Sequence, residues 1–88
     1  MSPIQAYILV QSLPEANGIA RLLRNVPGVI LAEDLRGPYD AIVLADTQSN
    51  GRTLQGIVTG IREVPGVTRA LSAPLSNPAI LVGEGEAA

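Results

Sequence analysis

Apolar positions along this chain follow two rhythms, and the order of those rhythms is repeated. Ala6-Tyr7-Ile8-Leu9-Val10 and Ala41-Ile42-Val43-Leu44-Ala45 are apolar at consecutive positions. Such short runs predict strands that bury both faces. Each is followed by a stretch with apolar residues at three- and four-residue steps: Ala16, Ile19, Ala20, Leu23 and Val26, then Leu54, Ile57, Val58, Ile61 and Val64. That spacing lays one apolar stripe along a helix. Both stripes run into near-identical hexapeptides, Arg24-Asn25-Val26-Pro27-Gly28-Val29 and Arg62-Glu63-Val64-Pro65-Gly66-Val67. Pro cannot continue a helix and Gly admits the positive φ that turns the chain, so both hexapeptides read as helix stops. Beyond each stop lies a further candidate strand, 29–36 and 67–75.

The chain is therefore strand–helix–strand written twice, joined at Gly37-Pro38-Tyr39-Asp40. This doublet predicts a ferredoxin-like βαββαβ sandwich of class α+β, a four-stranded antiparallel sheet with two helices on one face. The runs around Ile8 and Val43 are expected at the sheet centre. The edge candidates carry Glu33, Asp34 and Arg36 on one side and Thr68, Arg69 and Ser72 on the other, and charge discourages open-ended strand addition. Helices on one face leave the other, around Tyr7 or Ile8, without a lid. A face-to-face homodimer is the expected lid, in the manner of dimeric α+β barrels. Residues 1–75 are expected to form one domain and 76–88 a tail. In the tail, the loop signal Ser76-Asn77-Pro78 precedes a brief apolar run, Ala79-Ile80-Leu81-Val82, suited to pairing with a sheet edge or a neighbouring chain.

Size and composition agree with this picture. At 88 residues the chain is one domain, and a domain so small buries only about two-thirds of its unfolded surface. Its 47% apolar content includes only two aromatic residues, Tyr7 and Tyr39, so the core is expected to be aliphatic and partly shared between subunits. Cys is absent, which removes disulfides and thiolate chemistry and fits a reducing cytoplasm. His is absent too, and with it the commonest general base and metal ligand. The basic residues, Arg21, Arg24, Arg36, Arg52, Arg62 and Arg69, are scattered and outnumbered by acidic ones, so no cationic surface for nucleic acid is expected. Apolar runs of about five residues fall far short of a membrane span, and the N-terminal residues lack a signal-peptide pattern.

Two readings of the Gly37–Asp40 joint stand side by side. As structure alone it is a β-turn with Pro at the second position and Asp40 bonding nearby amides. It also offers an exposed backbone at Gly37, a ring at Tyr39 and a carboxylate at Asp40 for a ligand. The Pro-Gly pairs are not phosphate loops, because each Gly stands alone after a helix end. Ser49 or Asn50 is expected to cap the second helix. Glu33 and Asp34, adjacent on a strand, point to opposite faces and cannot act as an acid–base pair. Ser12, Ser72 and Ser76 have no imidazole to activate them. No catalytic residue, cofactor or metal is expected.

The assembled pattern resembles the effector-binding (RAM) domain of the Lrp/AsnC family of transcription regulators. The resemblance covers roughly residues 4–75 and rests on Gly-x-Tyr-Asp at 37–40 together with the two Pro-Gly-Val stops. It implies a non-catalytic module that senses a small molecule, typically an amino acid, and assembles into rings of dimers such as octamers or decamers. It implies ligand contacts at Gly37, Tyr39 and Asp40, with Thr68, Arg69 and Ser72 of the fourth strand as further candidates. Family members usually carry a DNA-binding domain ahead of this module. The chain resembles the stand-alone versions, which suggests mixed assembly with a full-length regulator as a partner. Three alternatives remain: a cofactor-free dimeric α+β barrel enzyme, a structural adaptor without ligand, and an ACT domain. The last is disfavoured because Gln11-Ser12-Leu13-Pro14 lacks that family's glycine.

Overall fold

The computed structural model describes residues 5–49 and 53–75. The proposed tail, the Ala79–Val82 run and the Asn50 cap lie outside the described residues. The elements run β1 (Gln5–Ser12), α1 (Ile19–Leu23), β2 (Val29–Asp34), β3 (Ala41–Asp46), a 3-10 turn (Thr47–Ser49), α2 (Leu54–Arg62) and β4 (Val67–Leu75). The four strands form one antiparallel sheet in the order β2-β3-β1-β4. This is the ferredoxin-like α+β arrangement, with the two strands of continuous apolar sequence at its centre.

Register assigns the faces. Ile8 lies opposite Val43 and Ser72, Val10 opposite Ala41 and Ala70, and Ala6 opposite Ala45 and Pro74. These residues share the face that carries the helices. Small Ala side chains there (Ala6, Ala32, Ala41, Ala45 and Ala70 are buried) let the helices approach closely, and the helices bring the bulk: Ile19, Leu23, Ile57 and Ile61. Small against large is how a core without aromatics reaches close packing. Among the described residues no polar or charged side chain is buried.

The helix stops form as expected. Gly28 and Gly66 hold φ of 95° and 97°, and Val29 and Val67 each donate back to the residue before the proline, at 3.1 Å. The first helix is shorter than its apolar stripe. It spans Ile19–Leu23 because Gly18 sits at φ 69°, which no helix interior tolerates, and residues 25 and 26 tighten to three-residue steps. Ile19, Ala20, Leu23 and Val26 are nevertheless all buried. The second helix corrects one expectation: its cap is Thr53, whose Oγ1 accepts the Gly56 N–H at 3.0 Å, and not Ser49 or Asn50.

The second face carries Tyr7, Leu9, Leu31, Ile42, Leu44 and Leu71. Tyr7 is 41% exposed, Leu31 48% and Leu71 36%. Tyr7, not Ile8, is therefore the residue on the uncovered side; Ile8 is fully buried beneath the helices.

Candidate functional site

The joint between the two units is wider than a four-residue turn. Leu35 N–H donates to the Asp40 carbonyl at 2.8 Å, closing the loop, while Asp40 N–H donates to the Val10 carbonyl at 2.8 Å and extends the β3–β1 ladder. The Asp40 amide is therefore committed to β1 and does not close a turn onto Gly37. Gly37 takes φ 126°, and a Cβ there would meet nothing within 4 Å. Its glycine answers a backbone requirement, not crowding.

Asp40 faces back into the protein. Its Oδ2 accepts the Ser12 N–H at 2.7 Å, satisfying an amide where β1 leaves the sheet. Asp34, at the other end of the same hairpin, does the matching job for α1: its Oδ1 accepts the Ala20 N–H at 3.0 Å. Because Gly18 has no side chain to cap α1, the acceptor comes from β2. Two carboxylates thus hold the β1–α1 loop from across the hairpin, each with one oxygen that accepts no hydrogen bond from the described residues.

Between the hairpin and the β1–α1 loop lies an open cavity of about 360 Å³. Ser12, Asn17, Gly18, Asp34, Arg36 and Asp40 are among its lining residues. Arg36 is exposed and forms no ion pair with the described residues. A cationic fork and two half-engaged carboxylates on one cavity suit a ligand that itself carries both charges.

The six candidate residues divide among several places. Asp40 lines the cavity; Tyr39 is half-buried in the loop and Gly37 is exposed on it. Arg69 lies opposite Gln11 on the uncovered face of the sheet, and Gln11 Nε2 donates to the Pro38 carbonyl at 2.8 Å, so Arg69 neighbours the hairpin from that side. Thr68 is exposed where the β1–β4 register shifts. Ser72 is elsewhere, on the helix face in a groove beside α2. Sequence reasoning does not single out Asp34 and Arg36 as ligand contacts. A signal for them exists: acidic residues at 34 and 40 bracket the loop, and a hairpin brings its ends together.

Among the described residues no group of three or more His, Cys, Asp or Glu is placed to hold a metal ion. No described helix is long and apolar enough to cross a membrane.

No protein-family model and no curated protein matches the chain. Solved structures do. TTHA0845 from Thermus thermophilus superposes with a TM-score of 0.67 at 19% identity, over 84% of this chain and 94% of that one. FFRP-DM1 superposes with a TM-score of 0.62 at 23% identity, over 82% and 97%. The leucine response regulatory protein LrpA of Mycobacterium tuberculosis gives 0.66 at 18% identity, over 84% of this chain. This chain spans about half of that regulator, 51% of its length. At such identities the likeness is one of fold: the chain has the α+β architecture found within a leucine response regulatory protein.

Proposed function

We propose that the protein is a non-catalytic sensing and assembly module that binds a free α-amino acid at the hairpin cavity. The observation that carries this reading is the placement of Arg36 with Asp34 and Asp40 around one cavity. Arg36 receives the α-carboxylate in a bidentate pair, and the uncommitted carboxylate oxygens receive the ammonium group. Tyr39, Gly37 and, from the uncovered side, Thr68 and Arg69 border the bound molecule in the assembled protein. Ser12 and Ala20 couple the site to the fold, because the same carboxylates hold their amides.

Assembly uses the uncovered sheet face. Tyr7, Leu31 and Leu71 leave a contiguous apolar surface of the kind that marks protein contact sites, and a second copy offers the same surface. Dimers formed this way build larger rings, which a DNA-binding relative of the same fold can join. A ligand that binds one assembly better than another shifts the balance between them.

The test is a thermal-shift and native-mass panel over the common amino acids. Ligand at a hundredfold excess over its Kd stabilises by about 2.7 kcal/mol, which raises Tm of a domain this size by roughly 10 °C or more. Arg36→Gln is expected to abolish the shift while leaving the unliganded Tm unchanged. A panel in which no amino acid moves either Tm or assembly mass refutes the sensing role.

A further inference from the structure

Where asparagine is followed by glycine, the side-chain amide is open to attack by the next backbone nitrogen, because glycine puts no Cβ in the way. The described residues hold one such pair, Asn17-Gly18, in the loop between β1 and α1. Three features leave it open to that reaction. Asn17 and Gly18 are both exposed. Gly18 lies outside the helix at φ 69°, with nothing within 4 Å of the position a Cβ would take. Its N–H donates to no described residue, so the attacking nitrogen is not held in a hydrogen bond.

Asn25 is the contrast within the same unit. It is followed by Val26, which is buried and whose N–H donates to the Leu23 carbonyl at 3.1 Å. The branched neighbour and the committed amide both oppose the same attack.

We propose that Asn17 is a self-modification site that converts with time to isoaspartate and aspartate and so recharges the hairpin cavity. The Gly18 nitrogen bonds to Asn17 Cγ and the Cγ–Nδ2 bond breaks. The proton from Gly18 ends on the departing nitrogen, which leaves as ammonia. Water then opens the cyclic imide. Opening at Cγ gives aspartate, and opening at the main-chain carbonyl gives isoaspartate, whose backbone is longer by a methylene. Water is the only co-reactant. Either product puts a new carboxylate on the cavity that Asn17 lines together with Asp34, Arg36 and Asp40. On the amino-acid reading above, on which this consequence rests, that carboxylate competes with the ligand's own for Arg36 and weakens binding.

Peptide mapping of the full-length chain, aged in warm and mildly alkaline buffer, tests the site without any ligand. Asn17 is expected to lose its amide in the folded chain about as fast as in the chain unfolded in urea, while Asn25 keeps its amide throughout. The second Asn-Gly pair, Asn50-Gly51, lies outside the described residues and is carried on a different tryptic peptide, since Arg21, Arg24 and Arg36 intervene. A folded chain that retains the Asn17 amide while the unfolded chain loses it overturns the proposal, as does conversion of Asn25 at the rate of Asn17. The thermal-shift panel on Asn17→Asp reads the consequence: a smaller ligand-induced shift than in the native chain is expected, and an equal shift overturns the recharging of the ligand site. A native chain that no amino acid shifts refutes the amino-acid reading instead, and the mapping still decides Asn17 by itself.

Discussion

The two strand–helix–strand units end their helices alike and begin them differently. At the ends, Gly28 and Gly66 take nearly the same positive φ under the same Pro-Gly sequence. At the starts, α2 is capped by its own neighbour Thr53, whereas α1 begins at a left-handed Gly18 and takes its acceptor from Asp34 on β2. A local cap forms with the helix it serves. A distant cap exists only when β2 is already in place, so the first unit is the more conditional half of the molecule. The loop that precedes the late start of α1 also lines the charged cavity.

The contrast can be tested by substitution, and the shared feature has the largest effect. A Cβ at Gly28 would lie 2.5 Å from Ile57 Cδ1 and would have to adopt φ 95°. Left-handed strain of about 1–2 kcal/mol adds to overpacking of about 1–3 kcal/mol. Gly28→Ala is therefore expected to destabilise by about 3 kcal/mol, a fall in Tm of roughly 15 °C in a calorimetric scan. At Gly66 the obstacle is the Cβ of Ala16 at 2.8 Å, packed against the core, and Gly66→Ala at φ 97° is expected to lose stability as well.

Asp40→Ala removes the acceptor of the Ser12 amide. A hydrogen bond to a charged acceptor at a half-exposed site contributes about 1–2 kcal/mol, so denaturant unfolding should show a loss of that order, with no amino-acid response remaining. Retention of the response in a folded Asp40→Ala protein would remove this residue from the proposed site. The caps separate the two helices more finely. Thr53→Ala is expected to lose about 1 kcal/mol and to fray α2 alone. Asp34→Ala should lose a similar amount, but with faster amide exchange spread over the first turn of α1 and the loop before it. Equal, strictly local effects from both would contradict the view that the first unit depends on long-range capping.

Arg36→Gln has the smallest expected effect on stability, within about 0.5 kcal/mol by chemical denaturation. Its side chain is exposed and holds no described partner. A large loss of stability here would mean that Arg36 is structural.

Much of this architecture is legible along the chain. Consecutive apolar runs at Ile8 and Val43 mark the central strands, and steps of three and four mark the helical stripes even where α1 is short. The stripe from Ile19 to Val26 is buried as its spacing predicts, yet only part of it is helix. Burial is a property of which face a residue turns inward, while helix extent also depends on one backbone angle at Gly18. The Gly37–Asp40 joint lies where the repeat places it. Its closure does not follow from the tetrapeptide, since Asp40 N–H finds its partner on β1, in the other unit of the repeat. Along the sequence, the only obvious neighbour to weigh Asp34 against is Glu33. The pairing that matters runs across the hairpin and onto α1.

Sequence alone determined the order of elements, the central and edge strands, the helix stops and the lack of imidazole and thiol chemistry, because each follows from residue type and short-range periodicity. Only the tertiary structure decided which amides Asp34 and Asp40 satisfy, that Arg36 joins them on one cavity, and that Ser72 sits apart beside α2. Those are meetings between residues distant in the chain. They are set by how the sheet registers and how helices settle on a face of small alanines, which no local pattern encodes.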